Sequence, residues 1–258
     1  MRILVVNDDG IHAAGIQALA KRLSCDHEVT VVAPDAERSA TSHSITIYRP
    51  LRVKKVALAG LENVACYATD GLPVDCTKIG IAHVLKQGVD LVVSGINHGP
   101  NMGTDILYSG TVAAALDAVI MGYNALAVSC CNSEPVYLDA AAEVAAQVIG
   151  SGLFDEKQRG VLYNLNVPDI PYENVKGIRA VRQSGTMFAD EIDVRSDPRG
   201  REYVWMSGRY VEEDAGEDTD AGTVNKGYAA ITPLRFDLTD RTRMDALSCR
   251  IQKIKLHI

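Results

Sequence analysis

Met1–Leu19 reads MRILVVNDDGIHAAGIQAL, and this stretch decides the fold. Arg2 to Val6 is a short apolar run rich in β-branched residues, the pattern of a strand buried on both faces. Asn7-Asp8-Asp9-Gly10 then halts the chain, and Gly10 permits a tight turn. Ala13, Ala14, Ile16, Leu19 and Ala20 follow at helical spacing. Strand, short loop and helix open a βα unit. In an open α/β sheet the ligand sits beyond the carboxyl ends of the strands, where Asp8 and Asp9 fall. Two adjacent carboxylates repel each other, and the usual remedies are a raised pKa or a bound cation. Hard cations such as Mg²⁺ and Mn²⁺ prefer oxygen ligands of this kind. The competing reading has one Asp capping the helix and the other solvated.

Further along, the βα pattern repeats. His27 to Ala33 reads as a second strand, followed by the polar loop Asp35 to Ser44. A hydroxyl of that loop, Ser39 being the natural candidate, would reach the same sheet edge, although Ser and Thr abound in plain turns. Ser44 to Tyr48 and Leu51 to Ala57 alternate and predict a β-ribbon broken by Pro50. Asn63 to Ala68 predicts a short strand and Cys76 to Leu85 a helix, with Asp75 or Thr69 as its cap. Val89 to Ser94 is a buried strand that runs into a long loop, Gly95 to Asp105, carrying glycines, Asn97, His98 and Asn101. Tyr108-Ser109-Gly110-Thr111 then opens the alanine-rich helix Val112 to Met121. Backbone N–H groups, two hydroxyls and the positive dipole end make this helix start a phosphate seat. Simple capping by Ser109 or Thr111 would explain one hydroxyl, but not the long loop before it. His98 has no nucleophile motif around it and is assigned no catalytic role.

Ala125 to Cys130, the helix Val136 to Ile149 and the strand Gly160 to Val167 continue the alternation. It predicts a doubly wound, mostly parallel sheet of Rossmann-like type over residues 1–180. The pattern changes afterwards. Ile178 to Gln183, Tyr203 to Ser207 and Gly227 to Pro233 read as strands, Asp193 to Arg201 as a charged turn, Glu212 to Asp220 as a solvated acidic loop, and Thr242 to Lys255 as a terminal helix. Residues 181–258 therefore read as a C-terminal extension, a β-hairpin arm and a helix for oligomerisation.

The chain has 258 residues and a formal net charge of -7, a poor balance for clamping duplex nucleic acid. No apolar run approaches the roughly 20 residues of a membrane span. MRILVVNDDG reads as no signal peptide, since its apolar run is short and leads into acid. The six cysteines form no CxxC pair, and the expectation is reduced thiols in the cytoplasm.

Taken together, several motifs resemble one family. They are NDDG at Asn7 to Gly10, APDxxRS at Ala33 to Ser39, DC at Asp75-Cys76, SGINxGPNxGxDxxYSGTVAAA at Ser94 to Ala115 and GYxxITPL at Gly227 to Leu234. In this order they resemble the SurE family of survival proteins, metal-dependent nucleoside 5′/3′-monophosphate phosphatases. The resemblance spans nearly the whole chain and is strongest in its first half. It implies a Rossmann-like core, and a C-terminal region that builds dimers or tetramers. It also implies that Asp8, Asp9, Ser39 and Asn97 bind one divalent ion per subunit, Mg²⁺ or Mn²⁺. Asn101, Ser109, Gly110 and Thr111 are implied to meet the phosphate. For catalysis, Asp8 or Asp9 is expected either to accept the proton of the attacking water or to attack directly, and the sequence does not choose between them. Three positions depart from the family pattern: Ala40 for a common Gly, Leu72 within a common Gly-Thr-Pro, and Asp117 for a common Glu.

The expected activity is hydrolysis of nucleoside 5′-monophosphates, and also 3′-monophosphates. The rival readings are a nucleotide-binding sensor without turnover, and a phosphatase for short polyphosphate or other phosphomonoesters. A receiver-type phosphotransfer scheme would need a third Asp where this chain has Ser94-Gly95-Ile96-Asn97.

Overall fold

In a computed structural model of the chain, which describes residues 1–157, 159–211, 214–252 and 254, Arg2–Val6 forms strand β1. Alternation sends Ile3 and Val5 into the core on one face of a sheet, and Leu4 and Val6 into the core on the other. Each of these side chains is fully buried, which contributes about 1.5–3 kcal/mol apiece. Burial on both faces demands helices on both. Helices α1 (Ala14–Leu23) and α4 (Leu138–Gly150) cover the first face, and α2 (Pro73–Ile79) and α3 (Gly110–Ile120) the second.

The other strands are β2 (Glu28–Pro34), β3 (Val53–Val56), β4 (Ala65–Thr69), β5 (Leu91–His98), β6 (Asn124–Cys130), β7 (Leu162–Val167), β8 (Ile178–Ala180), β9 (Met187–Ser196), β10 (Glu202–Val211) and β11 (Ala229–Leu234). Helices α5 (Asp220–Val224) and α6 (Met244–Ile251) lie late in the chain. Nine strands make one sheet in the order β3-β4-β2-β1-β5-β6-β7-β11-β8. The run from β4 to β7 is parallel throughout. Winding proceeds outward in one direction through β2 and β4, then in the other from β5. The crevice of an open sheet forms where that direction reverses, between β1 and β5. Asp8 and Asp9 follow β1 after the single residue Asn7, and Asn97 lies at the end of β5.

Several expectations change. Ser44 to Tyr48 forms no strand, and of the predicted ribbon only β3 exists, antiparallel to β4 at the sheet edge. The segment before Pro50 has no neighbouring strand to pair with. The helix predicted from Cys76 begins at Pro73, and after Ile79 widens into one π-helical turn, Gly80–Val84. Strand β5 runs four residues beyond Ser94, through a bulge between Ser94 and Asn97 that includes a cis Gly95–Ile96 peptide.

Beyond residue 180 the chain does not leave the sheet altogether. Strand β11 inserts between β7 and β8. Only the hairpin β9–β10 makes a separate two-stranded sheet, and Asp193 to Ser196 belongs to its first strand rather than to a turn. Within the predicted acidic loop, Asp214 and Asp218 pair with Arg182, and Asp220 is fully buried. Glu212 and Glu213 of that loop, and Lys253 and Lys255 of the predicted terminal helix, lie outside the described residues. All six cysteines are free, and no described helix is long and apolar enough to cross a membrane.

Candidate active site

The turn after β1 is locked by its own first residue. The Asn7 side chain donates to Gly10 O at 2.9 Å and accepts from Gly10 N at 3.3 Å. Gly10 has φ +99°, and a Cβ there would lie 3.2 Å from Ala36, so glycine lets the loop after β2 close over the turn. That loop is fixed by the Arg38 N–H, which donates to Asp8 O at 2.7 Å. Asp8 and Asp9 are thereby held side by side. Asp8 is buried and Asp9 half-buried.

Helix α3 meets them end-on. Ser109 caps it, its oxygen accepting from Val112 N at 3.1 Å, which leaves the hydroxyl proton to donate elsewhere. A Cβ on Gly110 would stand 2.9 Å from Asp8 Oδ2, so glycine permits this close approach. The Gly110 amide, at the first helical position, has no intrahelical acceptor. The Thr111 hydroxyl donates to Asp8 Oδ1 and also lies 3.2 Å from Asn97 Oδ1. Thr111 therefore joins the carboxylate after β1 to the amide at the end of β5. The Asn97 amide group donates to Gly99 O at 2.8 Å, which turns its oxygen toward Thr111. It is the backbone N–H of His98 that reaches Asp9, at 3.4 Å.

Both acids resist ionisation. Burial pushes Asp8 up to about 6; the Asp9 charge adds to this, and the Thr111 hydroxyl opposes it. Burial also pushes Asp9 up to about 6, opposed by the His98 N–H and reinforced by the charge of Glu37. At neutral pH two carboxylates with raised pKa values face one crevice beside an amide oxygen. This donor set is all hard oxygen, and a divalent cation would relieve its charge. Asp8, Asp9 and Asn97 thus fit a Mg²⁺ or Mn²⁺ site. Among the described residues no cluster of three or more His, Cys, Asp or Glu side chains could hold a metal, so any cation here also needs neutral oxygen ligands.

The structure joins some of the predicted residues and leaves others apart. Asp8, Asp9, Asn97, Gly110 and Thr111 form one connected site. Ser39 is exposed, and its hydroxyl donates to Glu37 at 2.7 Å instead. Asn101 is buried. Its side chain donates to Ser129 at 2.9 Å, its N–H to Asn166 Oδ1 at 2.9 Å, and its carbonyl accepts from Asn164 and Asn166. The amide of Gly103 is taken by Asp220, so the glycine-rich loop spends these N–H groups on the protein rather than on an anion.

Two features were not anticipated from the sequence. One is the Thr111 bridge, which helical spacing cannot reveal. The other is Glu37, whose nearness to Asp9 depends on the fold of the loop after β2. Of the three departures, Ala40 adopts φ +55°, a conformation that favours glycine. Asp117 is buried on α3 and pairs with Lys78 at 3.0 Å and with His43 at 3.3 Å, on the loop that carries Ser39. Leu72 begins α2, where its N–H donates to Asp75 at 2.9 Å, so Asp75 caps from inside the helix.

A doubly wound sheet with paired acids, an amide oxygen and a helix N-terminus at its switch point defines the class, an α/β protein with its polar crevice at the carboxyl ends of the strands. The family model described as survival protein SurE matches residues 3–190. A 5′-nucleotidase SurE of Syntrophomonas wolfei is 47% identical over 242 residues, covering 93% of this chain and 90% of that protein. A 5′-nucleotidase SurE of Carboxydothermus hydrogenoformans is 42% identical over 260 residues, covering 99% and 98%. The crystal structure of the SurE protein from Aquifex aeolicus superposes with a TM-score of 0.83 at 34% identity, covering 97% of this chain and 99% of that one. The chain belongs to the SurE family.

Proposed function

We propose that this protein is a 5′-nucleotidase that hydrolyses nucleoside 5′-monophosphates, and also 3′-monophosphates, to nucleoside and phosphate. One divalent ion per subunit, Mg²⁺ or Mn²⁺, would be held by Asp8, Asp9 and Asn97; Ser39 would join them only by turning its hydroxyl away from Glu37. The observation that carries this reading is the Thr111 bridge, which ties the paired acids to the N-terminus of α3. The activity named for the relatives above supports it.

A phosphomonoester dianion repels a nucleophile, and its uncatalysed hydrolysis is very slow. When bound, the cation supplies Lewis-acid polarisation of a phosphate oxygen and of the attacking water. The protein supplies the rest. The Gly110 amide and the positive end of α3 bind the equatorial oxygens, and the Ser109 proton is free to donate to one of them. Thr111 holds Asp8 and Asn97 in fixed orientation. Asp9 is the more open of the two acids, and it is the group placed to take the proton of the attacking water. A panel of 5′- and 3′-nucleoside monophosphates with EDTA, Mg²⁺ or Mn²⁺ tests this directly. Phosphate release should vanish in EDTA and return with metal. Nucleotide binding without release under any metal would point to a sensor and sink the reading.

The enzyme works in the cytoplasm as a homodimer or homotetramer, a reading that the free cysteines and the hairpin support. One face of β9–β10 carries Phe188, Ile192 and Val194 opposite Tyr210, Met206 and Val204, all exposed. A two-stranded hairpin is marginal alone, and its apolar face fits the same face of a second copy. Ile192→Glu with Met206→Glu should lower the mass measured by light scattering to that of a smaller assembly. A monomeric wild-type chain would rule this assembly out.

A further inference from the structure

The loop between β5 and α3 is held by the far end of the chain. Gly103 has φ +53°, and a Cβ there would lie 2.1 Å from Thr186 O, so the two backbones touch. The Gly103 N–H donates to Asp220 Oδ2 at 3.1 Å, and its carbonyl accepts from Gln183 Nε2 at 2.6 Å. The Thr104 N–H donates to Thr186 O at 2.9 Å. Asp105 in turn accepts from the hydroxyl of Tyr210 on the hairpin. Asp220 is fully buried, and its second oxygen accepts from Ser184 N at 2.9 Å and Ala221 N at 2.8 Å. A short helix does not need a buried acid at its first position, because Thr219 already caps α5 by accepting from Gly222 N. A buried acid is costly unless every oxygen is matched, and here three N–H groups from three stretches of chain match it.

We infer that Asp220 is a positioning residue for the reaction proposed above. Together with Gln183 it clamps Gly103, and so sets the path of the loop that delivers Ser109, Gly110 and Thr111 to Asp8. The inference rests on the nucleotidase reading. The path is short: Asp105 O accepts from both Tyr108 N and Ser109 N, so movement at Gly103 is carried into the start of α3. Asp220 makes no contact with Asp8 or Asp9. Its loss would weaken a phosphate seat used equally by substrate and transition state, which raises KM more than it lowers kcat.

The test uses Asp220→Asn and Gln183→Ala in the full-length protein. Asn keeps one acceptor oxygen but turns an NH₂ onto part of the N–H cluster, which opens one side of the clamp. Gln183 is exposed, so its loss removes the other arm without a buried defect. Steady-state kinetics with a nucleoside 5′-monophosphate and Mg²⁺ are read beside amide hydrogen exchange over residues 101–105 and thermal melting. We expect KM to rise about tenfold in the first variant and about threefold in the second, with kcat changed less than KM in each. Exchange in the loop should accelerate about tenfold in the Asn variant. Folded variants with wild-type KM would overturn the inference, whether or not exchange quickens. If the Asn variant does not fold, an unchanged KM in Gln183→Ala overturns the inference and a raised KM supports it. A wild-type protein without phosphatase activity would overturn the nucleotidase reading, while exchange would still report the clamp.

Discussion

Asp9→Asn is expected to lower phosphate release from nucleoside 5′-monophosphates by at least about a thousandfold, or about 4 kcal/mol of transition-state stabilisation. The substitution is nearly isosteric. Its side-chain oxygen still accepts from His98 N, so the backbone contact that sets Asp9 survives. What disappears is one of the two negative charges proposed to hold a cation, and the group proposed to take the proton from water. Circular dichroism should match the wild type, because Asp9 is half-buried and carries no packing role; in EDTA above about pH 7 the variant should melt somewhat higher, because burial holds Asp9 up to about 6 and Asn removes that charge. The affinity for Mg²⁺ or Mn²⁺, measured by titration calorimetry, should fall in parallel. Full activity in the variant at saturating metal would remove Asp9 from the mechanism.

The reading of β1, its turn and α1 survives in the structure because local signals and tertiary context agree there. A continuous apolar run must be buried on both faces, and that requirement produces the doubly wound sheet. The pairing of Asp8 with Asp9 is legible for the same reason, since adjacency in sequence is adjacency in space at a tight turn. Asn97 is different. Its place beside the acids depends on a strand four residues longer than its apolar run, and only the family resemblance pointed to it. Ser39 was proposed on the same basis, yet its hydroxyl faces Glu37. The hairpin arm was expected, but its first strand escaped because MFADEIDVRS mixes charge into its alternation and packs on no core of its own. Asp220 escaped for the opposite reason. It stands in an acidic run that reads as solvated, and only the fold brings it against Gly103. Contacts between residues over a hundred positions apart leave no periodic trace.

The second large effect concerns stability and follows from Asp8. Its folded-state pKa of about 6 lies above the usual value of 3.8, chiefly because it is buried. The sign follows from proton binding. Between these two values the folded chain holds more protons at Asp8 than the unfolded chain does, so stability falls as pH rises through this window. Below about pH 4 the acid is neutral in both states and the penalty is absent; above about pH 7 it is fully present, at about 3 kcal/mol before relaxation. Asp8→Asn removes this penalty and still accepts from Thr111. In EDTA at pH 8 the variant should therefore melt higher than wild type, by roughly 5 °C for a chain of this size, and the advantage should vanish near pH 4. Adding Mg²⁺ should reverse the order, because only the wild type gains from binding, by an amount that grows as the logarithm of metal concentration. Differential scanning calorimetry across pH, with and without metal, reads both effects. A variant less stable than wild type at pH 8 in EDTA would mean that Asp8 holds the fold together. The predicted order means instead that the protein keeps a destabilising charge at its switch point because a cation there needs it.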